Sequence, residues 1–191
     1  MLSLIIPVYR NEANIGPLLQ VIRGIRNQVD GPFEAVFVVD GSPDRSFLVL
    51  RHQLPTAGFD SQLIALSRNF GAFAAIRAGL SKATGDHFVV MAADLQEPPA
   101  LVLAMHGAIA ANVCDVAYGE RIGRNDSWHS RVMSAMFWSL YRRFVAPDFP
   151  RGGVDIFGCN AMVRDQIMAL SECNSSLVGL LFWMVAAYPG T

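Results

Sequence analysis

The residues best placed for chemistry stand at the ends of apolar runs. Asp94, Gln96 and Glu97 follow the run His87 to Ala92 and are closed off by Pro98 and Pro99. In parallel α/β sheets ligands bind outside the carboxyl ends of the strands, so polar groups just past such a run are a candidate site. A second cluster, Asp40-Gly41-Ser42-Pro43-Asp44, ends the run Phe33 to Val39. Its first carboxylate suits hydrogen bonds from a base or ribose, and the same pattern equally describes a turn with a helix cap at Asp44. A third, Ser67-Arg68-Asn69-Phe70-Gly71, precedes a helical stretch. Backbone N–H groups at a helix start together with a guanidinium favour an anion, so this loop reads as a phosphate cradle.

The elements that position these clusters follow from periodicity. Leu2 to Val8, Phe33 to Val39, Gln62 to Leu66, His87 to Ala92 and Asp115 to Tyr118 are short apolar runs of strand length. Between them Ile15, Leu18, Leu19, Ile22 and Ile25 recur at helical spacing, with Asn11 or Asn14 as cap, and Ala72 to Ala83 and Leu101 to Ala111 read as further helices. Alternation of this kind predicts a mostly parallel, three-layer α/β domain.

Composition narrows the class. The 191 residues are 52% hydrophobic and 16% charged, with a net charge of −1, which suits one globular domain and excludes disorder. A nucleic-acid binder would carry a basic stripe, and this balance argues against one. Cys114, Cys159 and Cys173 are widely spaced and without a CxxC, so they read as buried thiols of a reducing compartment. No segment approaches the roughly 18 uninterrupted apolar residues of a membrane helix. After Gly119 the texture turns cationic, with Arg121, Arg124, Arg131, Arg142 and Arg143 around an amphipathic stretch from Trp128 to Tyr141. That stretch suits anionic phosphates or a membrane surface, and equally a core-facing helix with a solvated cationic side.

Six segments taken together, SLIIPVYRNE, VVDGSPD, LSRNFGAFAAIRAGLSKATGD, VVMAADLQEPP, YGERIGR and VDIFGCNAMVRD, resemble family 2 glycosyltransferases, in particular the polyprenyl-phosphate branch. The resemblance covers Leu2 to about Leu181. It implies a GT-A (Rossmann-like) fold over residues 1–175, with 176–191 a hydrophobic C-terminal segment. It also implies inverting transfer of a hexose from a UDP- or GDP-linked sugar to a polyprenyl phosphate, by a cytoplasmic protein peripheral to the inner face of the membrane. Carried over by motif, Pro7, Tyr9, Glu12, Asp40, Ser42, Arg68 and Asp94 hold the nucleotide sugar, and Asp94 with Gln96 hold Mg²⁺ or Mn²⁺ on the diphosphate. Asp155, with Asp94, is the catalytic assignment, and Arg121 and Arg131 are assigned to the acceptor phosphate. A homo-oligomer is also expected. Two family carboxylates are replaced, at Val39 and Ala92. The alternative reading is therefore a truncated, catalytically impaired member acting as a non-catalytic partner subunit.

Overall fold

A computed structural model describes residues 1–120 and 154–169. The expectations placed on Arg121, Arg131, the stretch Trp128 to Tyr141 and the boundary at 175 lie outside those residues. The chain divides into two compact units, Met1–Tyr118 with Ile156–Cys173, and Gly119–Asp155 with Asn174–Thr191. The elements that follow belong to the first, apart from the far ends of two strands.

Strand β1 (Leu2–Val8) is the centre of the sheet, because apolar side chains on both of its faces demand cover from both sides. It pairs in parallel with β2 (Phe33–Asp40) and β4 (His87–Val90), and β2 pairs in parallel with β3 (Asp60–Leu66). Beyond β4 the direction reverses. Strand β6 (Val154–Asn160) runs antiparallel to β4, with His87 opposite Asn160, and β5 (Val116–Glu120) is the outer strand, giving the order β3-β2-β1-β4-β6-β5. The expected mostly parallel α/β sheet is present, and the antiparallel insertion of β6 is a feature the alternation did not signal.

Alternation along β1 builds the three layers. Leu2, Leu4, Ile6 and Val8 point to one face and enter the core with Ile15, Leu18, Leu19, Ile22 and Ile25 of α1 (Ile15–Arg26). Ile5 points to the other, beneath α3 (Ala72–Lys82), where Gly79 lets the helix lie close: a Cβ there would stand 2.5 Å from Ile5 Cγ2. Helix α2 (Ser46–Gln53) and α4 (Pro99–Ala110) pack against α1, and α5 (Ala161–Ala169) packs against α3. None of these helices is long and apolar enough to cross a membrane. Cys159 is buried, and burial pushes its thiol up to about 12, as fits an unreactive core cysteine.

Several element boundaries differ from the sequence reading. Strand β4 stops at Val90, although the Met91 N–H still reaches Ile5 O at 3.0 Å, so Ala92 and Ala93 belong to the loop. Helix α1 begins only after a 3₁₀ turn, Glu12–Asn14, and no side chain caps it. Asn11 spends its Oδ1 on the Tyr9 N–H instead (3.2 Å). Asp44, expected as the helix cap, stands one residue before the cap position, which is Arg45, and its Oδ1 accepts the N–H of Ser46, the first residue of α2 (3.1 Å).

At the amino end of the sheet, Glu34 is a buried carboxylate with a full set of donors. Ser3 Oγ (2.7 Å), Thr84 N (2.6 Å) and Thr84 Oγ1 (2.9 Å) donate to one oxygen and Gln62 Nε2 (2.9 Å) to the other. Burial raises its pKa, but these hydrogen bonds outweigh it and hold the carboxyl below its ordinary 4.5. A depressed folded pKa means stability that is full above the unfolded value and is lost as pH falls through the folded one. Glu34→Gln should therefore cost about 1–3 kcal/mol in urea unfolding at pH 7. The gap to wild type should shrink as the same titrations are repeated below pH 4.5.

Candidate functional site

The carboxyl ends of β1, β2 and β4 open on one cleft of about 360 Å³, lined by Pro7, Val8, Tyr9 and Asn11 after β1, Asp40 at the end of β2, Asn69, Gly71 and Ala72 before α3, and Ala92, Ala93 and Asp94 after β4. The volume is usual for a small-molecule site. Of the residues singled out from sequence, the cleft brings together Pro7, Tyr9, Asp40 and Asp94.

Asp40 organises the floor. Its side chain is only 3% exposed, and its two oxygens accept the N–H groups of Phe70 and Gly71, each at 2.8 Å. The Ser67–Gly71 loop was expected to cradle a phosphate; two of its backbone N–H groups are instead taken by Asp40. Close approach makes this possible: Gly41 has φ +56°, and a Cβ there would overlap the backbone of Arg68 and Asn69. Asn69 Oδ1 also accepts the Gly71 N–H (3.0 Å), which leaves its NH₂ as the free end of the amide.

The β1–α1 loop is held from the β2–α2 loop. Ser42 Oγ accepts the Arg10 N–H (2.8 Å) and donates to Asp44 Oδ1 (2.6 Å), and Asp44 Oδ2 accepts the Glu12 N–H (3.0 Å). Glu12 Oε2 accepts the Arg45 N–H in return (2.9 Å). Burial raises the Asp44 pKa, but bonds from the Ser42 hydroxyl and the Ser46 and Glu12 N–H groups bring it down to about 2. Glu12 and Ser42 therefore sit behind the cleft wall as links between loops. Arg68 is exposed with its guanidinium 4.6 Å from the centre of the Phe70 ring, and Arg10 lies 5.3 Å from that of Tyr9.

Asp94 is exposed, and its Oδ1 accepts the Gln96 N–H (3.2 Å) across a turn in which Leu95 takes φ +62°. Among the described residues no three His, Cys, Asp or Glu side chains converge as a metal cage. A single reachable carboxylate, with Gln96 on the same turn, fits a divalent ion that brings its remaining ligands as water and phosphate oxygens. Asp155 lies in β6, and its side chain is outside the described residues. Asn11, expected as a helix cap, and Asn69, expected only as part of the Ser67–Gly71 loop, also line the cleft. The Asn-x-Gly spacing at 69–71 was the available signal for the second, since Asn side chains bond the N–H two residues on.

Solved structures share this architecture. The mannosyltransferase PcManGT from Pyrobaculum calidifontis, in complex with GDP-Man and Mn²⁺, superposes with a TM-score of 0.61 at 17% identity, covering 91% of this chain and 48% of that one. TarS 1–349 from S. aureus gives 0.60 at 20% identity, covering 97% and 54%. The fold is that of the GT-A glycosyltransferases. Residues 3–169 match the family model for glycosyl transferase family 2, and the chain belongs to that family. It is 34% identical over 184 residues to the uncharacterized glycosyltransferase YkcC of Bacillus subtilis (strain 168), covering 95% of this chain and 56% of that protein. It is 35% identical over 174 residues to the undecaprenyl-phosphate 4-deoxy-4-formamido-L-arabinose transferase of Sodalis glossinidius (strain morsitans), covering 90% and 52%. The chain spans just over half the length of these relatives.

Asp40→Asn removes one acceptor and turns an NH₂ toward a backbone N–H. Amide exchange at Phe70 and Gly71 should accelerate about ten- to hundredfold, the loss of a hydrogen bond to a charged group. Exchange at Val36 and Phe37, inside β2, should not change.

Proposed function

We propose that this chain is the donor-binding domain of a glycosyltransferase that moves a hexose from a nucleotide sugar to a polyprenyl phosphate, with inversion, at the inner face of a membrane. The observation that carries the reading is the cleft at the carboxyl ends of β1, β2 and β4, where an aromatic ring (Tyr9), two amides (Asn11, Asn69) and two carboxylates (Asp40, Asp94) meet. Supporting it are family membership and the named acceptor of the Sodalis relative.

In this reading the nucleoside lies along Pro7 and Tyr9, with Asp40 accepting from base or ribose through the lone pairs its two backbone partners leave free. Glu12 and Ser42 serve by fixing the loop that carries Tyr9, and Arg68 approaches from the rim. The diphosphate lies toward Asp94, which with Gln96 would hold Mg²⁺ or Mn²⁺. When bound, the ion supplies charge compensation on the departing nucleoside diphosphate. The chain's own contribution is positioning and preorganised charge, which is where most of the acceleration of such a step arises. An acceptor phosphate monoester, with a second pKa near ~6, is already largely ionised at neutral pH, so no strong base is needed. Asp155 is assigned to orient it, and Arg121 and Arg131 to bind it. Membrane association is peripheral in this scheme, and self-association is a further expectation of it. Ala92 favours a second reading: a methyl group lines the cleft where the family resemblance expects a carboxylate, as would suit a chain that binds donor for a catalytic partner without turning it over.

Calorimetric titration with UDP-glucose and GDP-mannose, each with and without Mn²⁺, tests the reading. One donor should bind, and Mn²⁺ should tighten it. In Asp94→Asn the gain from Mn²⁺ should fall at least tenfold, because oxygen sites weaken with each lost charge. Failure of a folded chain to bind either donor would contradict the proposal.

A further inference from the structure

We infer that Asp44, which does not itself line the cleft, is a positioning residue for the nucleotide: it sets the backbone of the β1–α1 loop so that Tyr9 stands in the cleft. The inference rests on the functional reading above and adds to it a residue acting at second hand.

Arg10 has φ +56°, a left-handed conformation that a residue with a side chain adopts only when its surroundings impose it. Three contacts impose it here. The Arg10 N–H is held by Ser42 Oγ at 2.8 Å. That hydroxyl is in turn oriented by donating to Asp44 Oδ1 at 2.6 Å, so the lone pair it offers to Arg10 has a fixed direction. Two residues on, the Glu12 N–H is held by the other oxygen, Asp44 Oδ2, at 3.0 Å. One carboxylate thus fixes the chain on both sides of Asn11, and both Tyr9 and Asn11 line the cleft. The carboxylate is itself anchored to α2 by the Ser46 N–H at 3.1 Å, and the return bond from Arg45 N–H to Glu12 Oε2 closes the link.

Among the described residues no hydrogen bond holds the Tyr9 side chain. It is 38% exposed, with the Arg10 guanidinium 5.3 Å from its ring centre. Its position is therefore inherited from the backbone, which Asn11 Oδ1 holds at the Tyr9 N–H (3.2 Å) and which Asp44 fixes on both sides of Asn11. A residue that only held the fold together would show no preference for Tyr9.

A double-mutant cycle separates the two cases. UDP and GDP are titrated into wild type, Asp44→Ala, Tyr9→Ala and the double variant, at a temperature where thermal melts show all four folded. For the nucleotide that binds, Asp44→Ala should weaken affinity tenfold or more in the wild-type background and less than twofold when Tyr9 is already Ala. Should Asp44→Ala not fold, Ser42→Ala, which removes the acceptor of the Arg10 N–H and one donor to Asp44 while leaving the bond from the Glu12 N–H to Asp44 in place, takes its place with the same pattern expected. Equal losses in both backgrounds, or no loss in either, would overturn the inference while leaving the functional reading intact. Absence of binding by wild type would remove the functional reading and this inference with it.

Discussion

The cleft depends on one carboxylate bound by two backbone N–H groups. Asp40 sits at the last position of β2, and its oxygens hold Phe70 and Gly71 thirty and thirty-one residues away, each at 2.8 Å. A buried charge is tolerated only where donors surround it, so burial of Asp40 and closure of the β3–α3 loop are one event. Gly41 follows from the same constraint, because only a residue without Cβ lets the turn after β2 lie against the backbone of Arg68 and Asn69. With that loop seated, Asn69, Gly71 and Ala72 form one wall of the cleft and the end of β1 forms the other.

For the proposed nucleotide site the consequence is a division of labour between the two acids. Asp40 is screened by its N–H partners and presents a carboxylate that cannot move, whereas Asp94 is exposed and held by one backbone bond across a turn. A nucleotide would meet a rigid acceptor on one side and a reachable anion on the other. The second arrangement is what a cation carried on a diphosphate requires. Around them the Ser42–Asp44–Glu12 links fix the remaining loop, so the cleft is shaped by backbone geometry more than by packing of its own side chains.

Much of the scaffold was legible in the chain because its signals are local. Strand-length apolar runs gave β1 to β4 and the 3.6-residue spacing gave α1, and their alternation gave the mostly parallel sheet. The place of Asp94 at the carboxyl end of β4, where it lines the cleft, was legible because polar residues stand just past a buried run. What escaped was pairing at a distance. The loop at 67–71 was read as a phosphate cradle, but nothing in it says that Asp40 already takes the N–H groups of Phe70 and Gly71. Glu12 and Ser42 look alike as ligand-binding residues or as links between loops, and only their partners in space distinguish the two. The antiparallel β6 escaped as well, since strand direction is set by the path of the intervening chain and leaves no trace in a seven-residue run.

A crystal structure of the chain with UDP or GDP and Mn²⁺ is the most direct measurement. The nucleotide should lie in the cleft with its nucleoside against Tyr9 and its diphosphate and metal beside Asp94, and Asp40 should keep both bonds to Phe70 and Gly71. A nucleotide bound elsewhere, or Asp40 released from the loop to take the diphosphate's metal, would contradict this view of the site.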